Sequence, residues 1–180
     1  MFDWLLTIFM MPFAIPMGII CWIMVMITMG KPVIFAQHRV GLNGKIFTLY
    51  KFRSIKRNSD TQNGTYHTTS DITPVGRFLR MFRLDELPQI YNIIRGEMSW
   101  VGPRPEVPFY VDHFEKMHPG FHLRHLALPG ITGLAQVRNP KATPADNLEK
   151  LQHDLAYIRH ASLMADLKIL FQTIYVIVNR

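Results

Sequence analysis

The stretch Arg83-Leu84-Asp85-Glu86-Leu87-Pro88-Gln89 places two adjacent carboxylates among arginines and directly before a proline. Upstream of it, Thr73 supplies a helix cap and Pro74 a suitable first helical residue. Apolar side chains then recur with helical spacing at Val75, Phe78, Leu79 and Phe82. The sequence therefore predicts a helix from Pro74 to about Arg83.

A second helix is predicted to begin near Asp85. Pro88 is tolerated only in the first turn of a helix, and the apolar spacing continues as far as Gly96 through Leu87, Ile90, Tyr91 and Ile94. At a helix N-terminus, free backbone N–H groups and the helix dipole favour anions, so a carboxylate stays ionised and a phosphate can bind beside it. A capping Asp beside a solvated Glu fits the same residues.

The N-terminal segment is predicted to lie in lipid. The chain has 180 residues, 48% of them hydrophobic, and a formal net charge of +7. Between Phe2 and Met29 only Asp3 is charged, and apolar residues are nearly continuous. A signal peptide fits poorly, because no basic region precedes the run, the run is too long and no small-residue cleavage site follows it.

Pro16 lies in the middle of this segment and removes a helical hydrogen bond. It leaves arms of about 14 and 13 residues, roughly 20 Å each, whereas the hydrocarbon core is ~30 Å thick. A kinked span and a re-entrant helix-break-helix both fit. The positive-inside rule places the following side in the cytoplasm because of Lys31, His38, Arg39 and Lys45.

After the membrane segment, the sequence predicts a β-hairpin and then a helical domain. Residues 32–37 and 45–53 are typical of strands, and residues 41–44 form the turn between them. The polar stretch Asn58–Ser70 is expected to be a mobile loop. A glycine-containing turn follows at residues 129–137, and residues 144–180 are predicted to be helical throughout.

Arg104 is a candidate phosphate ligand, since Pro103 and Pro105 restrict the backbone on both sides of its guanidinium. A proline-rich turn with an exposed arginine is the simpler interpretation.

Other kinds of site are poorly supported. Pro119 interrupts the histidine spacing that a zinc site would need, and neither a P-loop nor a dinucleotide-binding fingerprint is present.

Several motifs follow one another along the chain from about Phe2 to Val178. They are the apolar N-terminal segment, Phe35-Ala36-Gln37-His38-Arg39-Val40-Gly41, Tyr50-Lys51-Phe52-Arg53, Val75-Gly76-Arg77-Phe78-Leu79-Arg80, Leu84-Asp85-Glu86-Leu87-Pro88-Gln89, residues 96–105, Pro129-Gly130-Ile131-Thr132-Gly133, and Asp154 with Tyr157. On these residues the chain resembles the bacterial sugar transferases of the monotopic phosphoglycosyl transferase family.

That resemblance implies transfer of a sugar-1-phosphate from a UDP-sugar to undecaprenyl phosphate with release of UMP, the first membrane step of bacterial glycoconjugate synthesis. It implies that Asp85 is the nucleophile, forming an acyl phosphate intermediate. Glu86 would position Mg²⁺ or act as a base, and the two carboxylates would be the metal ligands. Lys51, Arg80 and Arg104 match basic positions that steady the phosphates.

The implied architecture is α/β, helix-rich and irregular. It has a re-entrant segment over residues 1–30, a small antiparallel hairpin, and a catalytic domain over residues 31–180 with membrane-surface helices on the cytoplasmic face of the bacterial inner membrane. The family breaks the re-entrant helix at Ser-Pro, whereas this chain has Ile15-Pro16. Membrane lipid is an expected partner and nucleic acid is not. The sequence names neither the sugar nor the oligomeric state.

Two other functions remain open from the residues. A membrane-anchored basic module that binds anionic lipid or nucleic acid would explain the charge and the anchor, but it leaves the carboxylate pair without a role. A catalytically silent relative is favoured only by the altered Ile15-Pro16 pair.

Overall fold

The computed structural model describes residues 2–55 and 72–179. The chain divides into two compact units, one of Met1–Gln37 with Thr48–Ile94 and the other of His38–Phe47 with Arg95–Arg180. The loop predicted at Asn58–Ser70 lies outside the described residues.

The N-terminal segment forms helix α1, Phe2–Met29, which is long and apolar enough to cross a membrane. Most of its surface is exposed, including large side chains such as Phe9 and Ile27. Lipid covers such a surface favourably and water does not, which supports the predicted membrane segment. Helix α1 continues through Ile15 and Pro16 without a boundary, and a re-entrant course through one leaflet stays a prediction.

The predicted hairpin is confirmed. Strand β1, Ile34–Val40, pairs with strand β2, Ile46–Phe52, in a small antiparallel sheet. A 3₁₀ turn over Leu42–Gly44 joins the strands, and its Asn43 and Gly44 have φ angles of 54° and 75°. Asparagine and glycine adopt this left-handed region most easily, which is why the turn forms at these positions.

Helix α2, Pro74–Met81, begins as predicted and ends slightly earlier than expected. The Thr73 side chain accepts a hydrogen bond of 2.9 Å from the Gly76 N–H and so caps the helix. The next predicted helix is split into a 3₁₀ turn, Leu84–Gln89, and a short helix α3, Ile90–Ile94. Pro88 explains the split, because it has no N–H to donate to the carbonyl of Leu84.

Apolar packing joins α1, the hairpin and α2 within the first unit. Its fully buried members are Cys21, Val25, Val33, Phe52 and Leu79. Leu84 and Leu87 from the 3₁₀ turn pack against this cluster, so the turn that carries the two carboxylates is attached to the core by its leucines.

The second unit contains a parallel strand pair that the sequence did not indicate. Strand β3, Ser99–Val101, pairs with β4, Gly130–Thr132, with Ser99 opposite Gly130. The stretch predicted as a turn at residues 129–137 therefore holds a strand and the short helix α5, Leu134–Arg138. A Cβ atom on Gly130 would collide with the backbone N atom of Gly102, which is why glycine is needed at this crossing.

The remaining elements of the second unit are helical. Helix α4 spans Pro108–Met117 and a 3₁₀ helix spans Phe121–Leu126. The predicted C-terminal helices are confirmed as α6, Asn147–Arg159, and α7, Leu163–Val178. The Tyr157 hydroxyl lies 2.8 Å from Asp166 Oδ1 and joins these two helices.

Gly76→Ala is expected to destabilise the first unit. An added Cβ would collide with the backbone oxygen of Ser54, and overpacking of this kind costs about 1–3 kcal/mol. For a chain of this size the thermal midpoint in detergent should fall by roughly 3–10 °C. In the control Gly18→Ala, no atom lies within 4 Å of the added Cβ, so the midpoint should stay unchanged or rise. An unchanged midpoint in Gly76→Ala would contradict the close packing of α2 on Ser54.

Candidate active site

The carboxylates of Asp85 and Glu86 lie in the first turn of a helical segment, as predicted, but this segment is a 3₁₀ helix. Both are buried, with 8% of Asp85 and 5% of Glu86 exposed. Few peptide dipoles are aligned in a turn of this length, so the predicted contribution of a helix dipole is small here. Two buried carboxylates therefore depend on nearby cations and hydrogen bonds to stay ionised.

Two cations hold the Glu86 carboxylate. Lys51 Nζ on strand β2 lies 3.4 Å from Glu86 Oε1, and Arg83 Nη1 lies 3.7 Å from Glu86 Oε2. Arg83 adopts a left-handed backbone conformation with φ 54°, which turns the chain from α2 into the 3₁₀ helix. Lys51 was predicted for this site from the sequence, whereas Arg83 was given no role, although it lies two residues before Asp85.

Arg80 lies on the last turn of α2, and its Nε atom donates a hydrogen bond of 2.9 Å to Ser54 Oγ. Burial lowers the pKa of the Arg80 guanidinium, and the negative charge of Asp85 opposes this shift. An arginine remains cationic at neutral pH in spite of such a shift. The structure therefore brings together four of the five residues predicted for the site, namely Lys51, Arg80, Asp85 and Glu86.

Asn92 holds the strand that carries Lys51 against the helix that follows the carboxylates. Its Nδ2 atom donates to the Thr48 carbonyl at 2.7 Å, and its Oδ1 atom accepts from the Tyr50 N–H at 3.3 Å. Asn92 is fully buried, so both bonds form away from water. Sequence reasoning missed this residue, and its only signal was a polar amide inside the apolar run of residues 90–94.

Arg104, the fifth predicted residue, belongs to the second unit, where its backbone is held from two sides. Arg124 Nη2 donates to the Arg104 carbonyl at 2.9 Å, and Arg39 Nη1 donates to the Pro105 carbonyl at 3.0 Å. The Val40 N–H also donates to the Glu106 carbonyl at 2.9 Å. The segment that the prolines were predicted to stiffen is thus fixed by hydrogen bonds as well.

A buried ion pair supports the segment that contains Arg104. Arg124 Nη2 lies 2.6 Å from Asp154 Oδ2, and 3% and 1% of the two side chains are exposed. Burial raises the pKa of the Asp154 carboxyl, and the Arg124 charge opposes this shift. The Arg124 guanidinium also lies over the Phe121 ring at 4.9 Å. Asp154 belongs to a motif seen in the sequence, whereas nothing in the sequence singled out Arg124.

Two of the histidines that raised the question of zinc, His122 and His125, differ in their surroundings. His122 Nδ1 lies 2.9 Å from Glu115 Oε1. His125 is buried, and burial together with the Arg124 charge lowers its pKa to about 4, so its ring is neutral at pH 7.

The donor set at Asp85 and Glu86 fits a magnesium ion. Carboxylate oxygens are ligands that Mg²⁺ prefers, and it is often held by one or two carboxylates with phosphate oxygens and water as the other ligands. Within residues 2–55 and 72–179, no group of three His, Cys, Asp or Glu side chains is arranged to hold a metal. The remaining ligands would therefore come from a bound phosphate and from water.

The arrangement suits chemistry on a phosphate ester. A carboxylate can attack phosphorus when nearby cations neutralise the phosphoryl oxygens, and buried cations do so more strongly than solvated ones. The first unit provides two carboxylates with Lys51, Arg80 and Arg83 around them.

Comparison with known proteins gives a match over the whole chain. A family model described as "Bacterial sugar transferase" matches residues 1–180. A protein of Aeromonas hydrophila named UDP-N-acetylgalactosamine-undecaprenyl-phosphate N-acetylgalactosaminephosphotransferase is 38% identical over 180 residues, covering 98% of this chain and 43% of that protein. A Klebsiella pneumoniae protein named UDP-glucose:undecaprenyl-phosphate glucose-1-phosphate transferase is 43% identical over 154 residues, covering 82% of this chain and 33% of that protein.

A Caulobacter vibrioides protein with the same name as the Klebsiella one is 39% identical over 148 residues, covering 79% of this chain and 55% of that protein. The chain thus spans less than half the length of the Aeromonas and Klebsiella proteins. The names of the three relatives share undecaprenyl phosphate, whereas the sugar is N-acetylgalactosamine in one name and glucose in the other two.

Arg124→Met is expected to destabilise the second unit strongly, because it leaves the Asp154 carboxylate buried without its guanidinium. Breaking a buried ion pair in this way costs about 3–5 kcal/mol, which should lower the thermal midpoint by roughly 10 °C. The double variant Arg124→Met/Asp154→Leu should recover much of the loss.

Glu149→Gln serves as the control for this prediction, since Glu149 is half exposed and pairs with His153 at 3.6 Å. Such a surface pair contributes about 1 kcal/mol or less. If Arg124→Met and Glu149→Gln lowered the thermal midpoint equally, the Arg124–Asp154 pair would not be needed for the stability of the second unit.

Proposed function

The chain belongs to the bacterial sugar transferase family, and from that premise we propose that it transfers a sugar-1-phosphate from a UDP-sugar to undecaprenyl phosphate. The names of its relatives in Aeromonas and Klebsiella supply the donor and acceptor classes. The observation that carries the proposal is the buried Asp85–Glu86 pair with Lys51 and Arg83 at its carboxylates and Arg80 beside it.

In the first step, an Asp85 carboxylate oxygen attacks the phosphorus that carries the sugar. The new bond is an acyl phosphate, and the bond that breaks joins this phosphorus to the oxygen of UMP. UMP takes the electron pair and leaves, so the sugar phosphate remains on Asp85. An ionised carboxylate needs no separate base for this attack, and the charges of Arg80 and Asp85 interact.

In the second step, an oxygen of undecaprenyl phosphate attacks the same phosphorus. The bond to Asp85 breaks, the carboxylate is regenerated, and the product is undecaprenyl diphosphate sugar. Glu86 positions the reacting groups or accepts a proton from the lipid phosphate. Lys51 holds Glu86 in place for either role at a distance of 3.4 Å.

The cations neutralise phosphate charge in both steps. Lys51 and Arg80 have this role beside the carboxylates, and Arg104, whose backbone carbonyl accepts a hydrogen bond from Arg124, keeps its predicted role as a phosphate ligand. A magnesium ion held by Asp85 and Glu86 would act as a Lewis acid and polarise the phosphoryl oxygens.

The acceptor is a lipid, so the reaction takes place at a membrane. We place the protein in the bacterial inner membrane, with α1 as a re-entrant anchor and the catalytic residues on the cytoplasmic face. The exposed apolar surface of α1 and the net charge of +7 support this placement, because anionic lipid attracts a basic surface.

Asp85→Asn should abolish UMP release from a panel of UDP-sugars in the presence of undecaprenyl phosphate and Mg²⁺. The amide is a poor nucleophile, so the rate should fall by at least about 10³-fold. Wild-type protein given the donor alone should release about one UMP per chain and gain the mass of one sugar phosphate. Asp112→Asn is the control, since Asp112 is exposed on α4.

Three results would contradict this prediction. Turnover by Asp85→Asn at the wild-type rate would exclude Asp85 as the nucleophile. Release of UMP only when both substrates are present, without a mass adduct, would favour direct transfer. No release by folded, membrane-inserted wild type from any sugar would favour a catalytically silent member of the family.

Lys51→Met should lower kcat/KM for UMP release by roughly 10- to 100-fold, as expected when a charged hydrogen bond is lost. Lys51 is one of two cations at the buried Glu86 carboxylate, so the thermal midpoint should also fall, and the rates are compared well below the midpoint of the variant. Lys45→Met is the matched control on the same hairpin, because Lys45 is exposed. If both variants lost activity equally, the effect would come from overall charge and not from the contact with Glu86.

A further inference from the structure

The side-chain amide of Gln89 is buried in the same 3₁₀ turn as the two carboxylates and has no role in the proposed mechanism. Gln89 closes the 3₁₀ turn Leu84–Gln89, and only 2% of its surface is exposed. Its Nε2 atom has no hydrogen-bond partner within the residues that the structure describes. A buried amide without a partner is destabilising, and native proteins keep few of them.

Asn92, three residues after Gln89, is an example of a buried amide with a structural role. It is also fully buried, but it donates to Thr48 and accepts from Tyr50 and so joins α3 to strand β2. The Gln89 amide has no such bond to the backbone of a neighbouring element among the described residues. The two buried amides therefore differ in hydrogen bonding.

The position of Gln89 connects it with the carboxylates. In a 3₁₀ helix, side chains three residues apart eclipse each other, so Gln89 lies on the same side of the turn as Glu86. The Glu86 carboxylate is already held by Lys51 and Arg83. A ligand bound at the carboxylate pair would thus lie beside a buried N–H donor that has no partner in the described part of the chain.

We propose that Gln89 is a substrate-binding residue whose side-chain amide donates a hydrogen bond to a phosphoryl oxygen of the diphosphate bound at Asp85 and Glu86. The inference rests on the proposed function, because it assigns a further contact to the same substrate. A neutral donor orients the phosphoryl oxygen without adding a charge beside Lys51, Arg80 and Arg83. The bond also gives the buried amide its partner.

Gln89→Met tests this role, since methionine keeps the unbranched shape and removes both polar atoms. We expect kcat/KM for UMP release from the UDP-sugar to fall by roughly 10- to 100-fold. The thermal midpoint without ligand should stay the same or rise, because a buried polar group without a partner has been removed. A merely structural role for the amide would instead lower the midpoint.

Asn92→Leu is the matched control, because it removes a buried amide whose bonds are satisfied by the backbone. Its midpoint should fall whether or not a ligand is present. A similar fall in Gln89→Met would overturn the proposal, since it would show that the Gln89 amide supports the fold. Wild-type activity in Gln89→Met would overturn it as well.

The thermal midpoint measured with inorganic pyrophosphate and Mg²⁺ tests the Gln89 contact without turnover. Pyrophosphate should raise the thermal midpoint of wild type, and this rise should be at least halved in Gln89→Met. A wild type that pyrophosphate stabilises in this way but that releases no UMP would refute the proposed function and leave the Gln89 contact supported. UMP release by wild type with equal pyrophosphate shifts in both proteins would refute the Gln89 contact alone. Neither stabilisation nor release in wild type would refute both.

Discussion

The first compact unit buries two adjacent carboxylates, and this constrains the elements around them. Water solvates a carboxylate strongly, so removing Asp85 and Glu86 from water is unfavourable unless cations and hydrogen bonds replace it. Lys51 and Arg83 do so at Glu86, and Arg80 lies close enough to Asp85 for their charges to interact. These cations come from a strand, a left-handed turn and a helix, so the three elements have to be held in fixed positions around the carboxylates.

Contacts outside the site hold these elements in position. Asn92 ties α3 to β2, and Ser54 accepts a hydrogen bond from Arg80 where α2 packs against it at Gly76. The leucines of the 3₁₀ turn pack into the apolar cluster that also contains residues of α1. The helix predicted to anchor the protein in lipid therefore also contributes to the packing below the carboxylates, which links membrane attachment to the integrity of the site.

In the second unit, the buried charge that needs compensation is a cation. Arg124 is almost fully buried, and Asp154 and Glu106 compensate its charge at 2.6 and 3.8 Å. Arg124 also binds the carbonyl of Arg104. A phosphate ligand is effective when its position is set before the substrate arrives, because the protein then need not reorganise during the reaction. The proposed role of Arg104 depends on this support.

The sequence by itself determined the local features of the chain. The cap at Thr73, the glycine-containing hairpin turn, the helical C-terminal segment and the apolar N-terminal helix all follow from neighbouring residues. The motif at Asp85 and Glu86 was also recognisable, since it is contiguous. Because of Pro88, the first part of the second predicted helix is a 3₁₀ turn, which the pattern of apolar residues did not reveal.

Only the tertiary structure decided which distant residues meet. Arg124 with Asp154, Asn92 with strand β2, and β3 beside β4 join positions that are far apart in the sequence. Their residue types are ordinary, and nothing in their local sequence specifies a partner. Whether a buried arginine or amide is satisfied depends on the whole packing around it. The physical reason is that local conformation follows from backbone sterics and spacing, whereas compensation of buried charge depends on the three-dimensional surroundings.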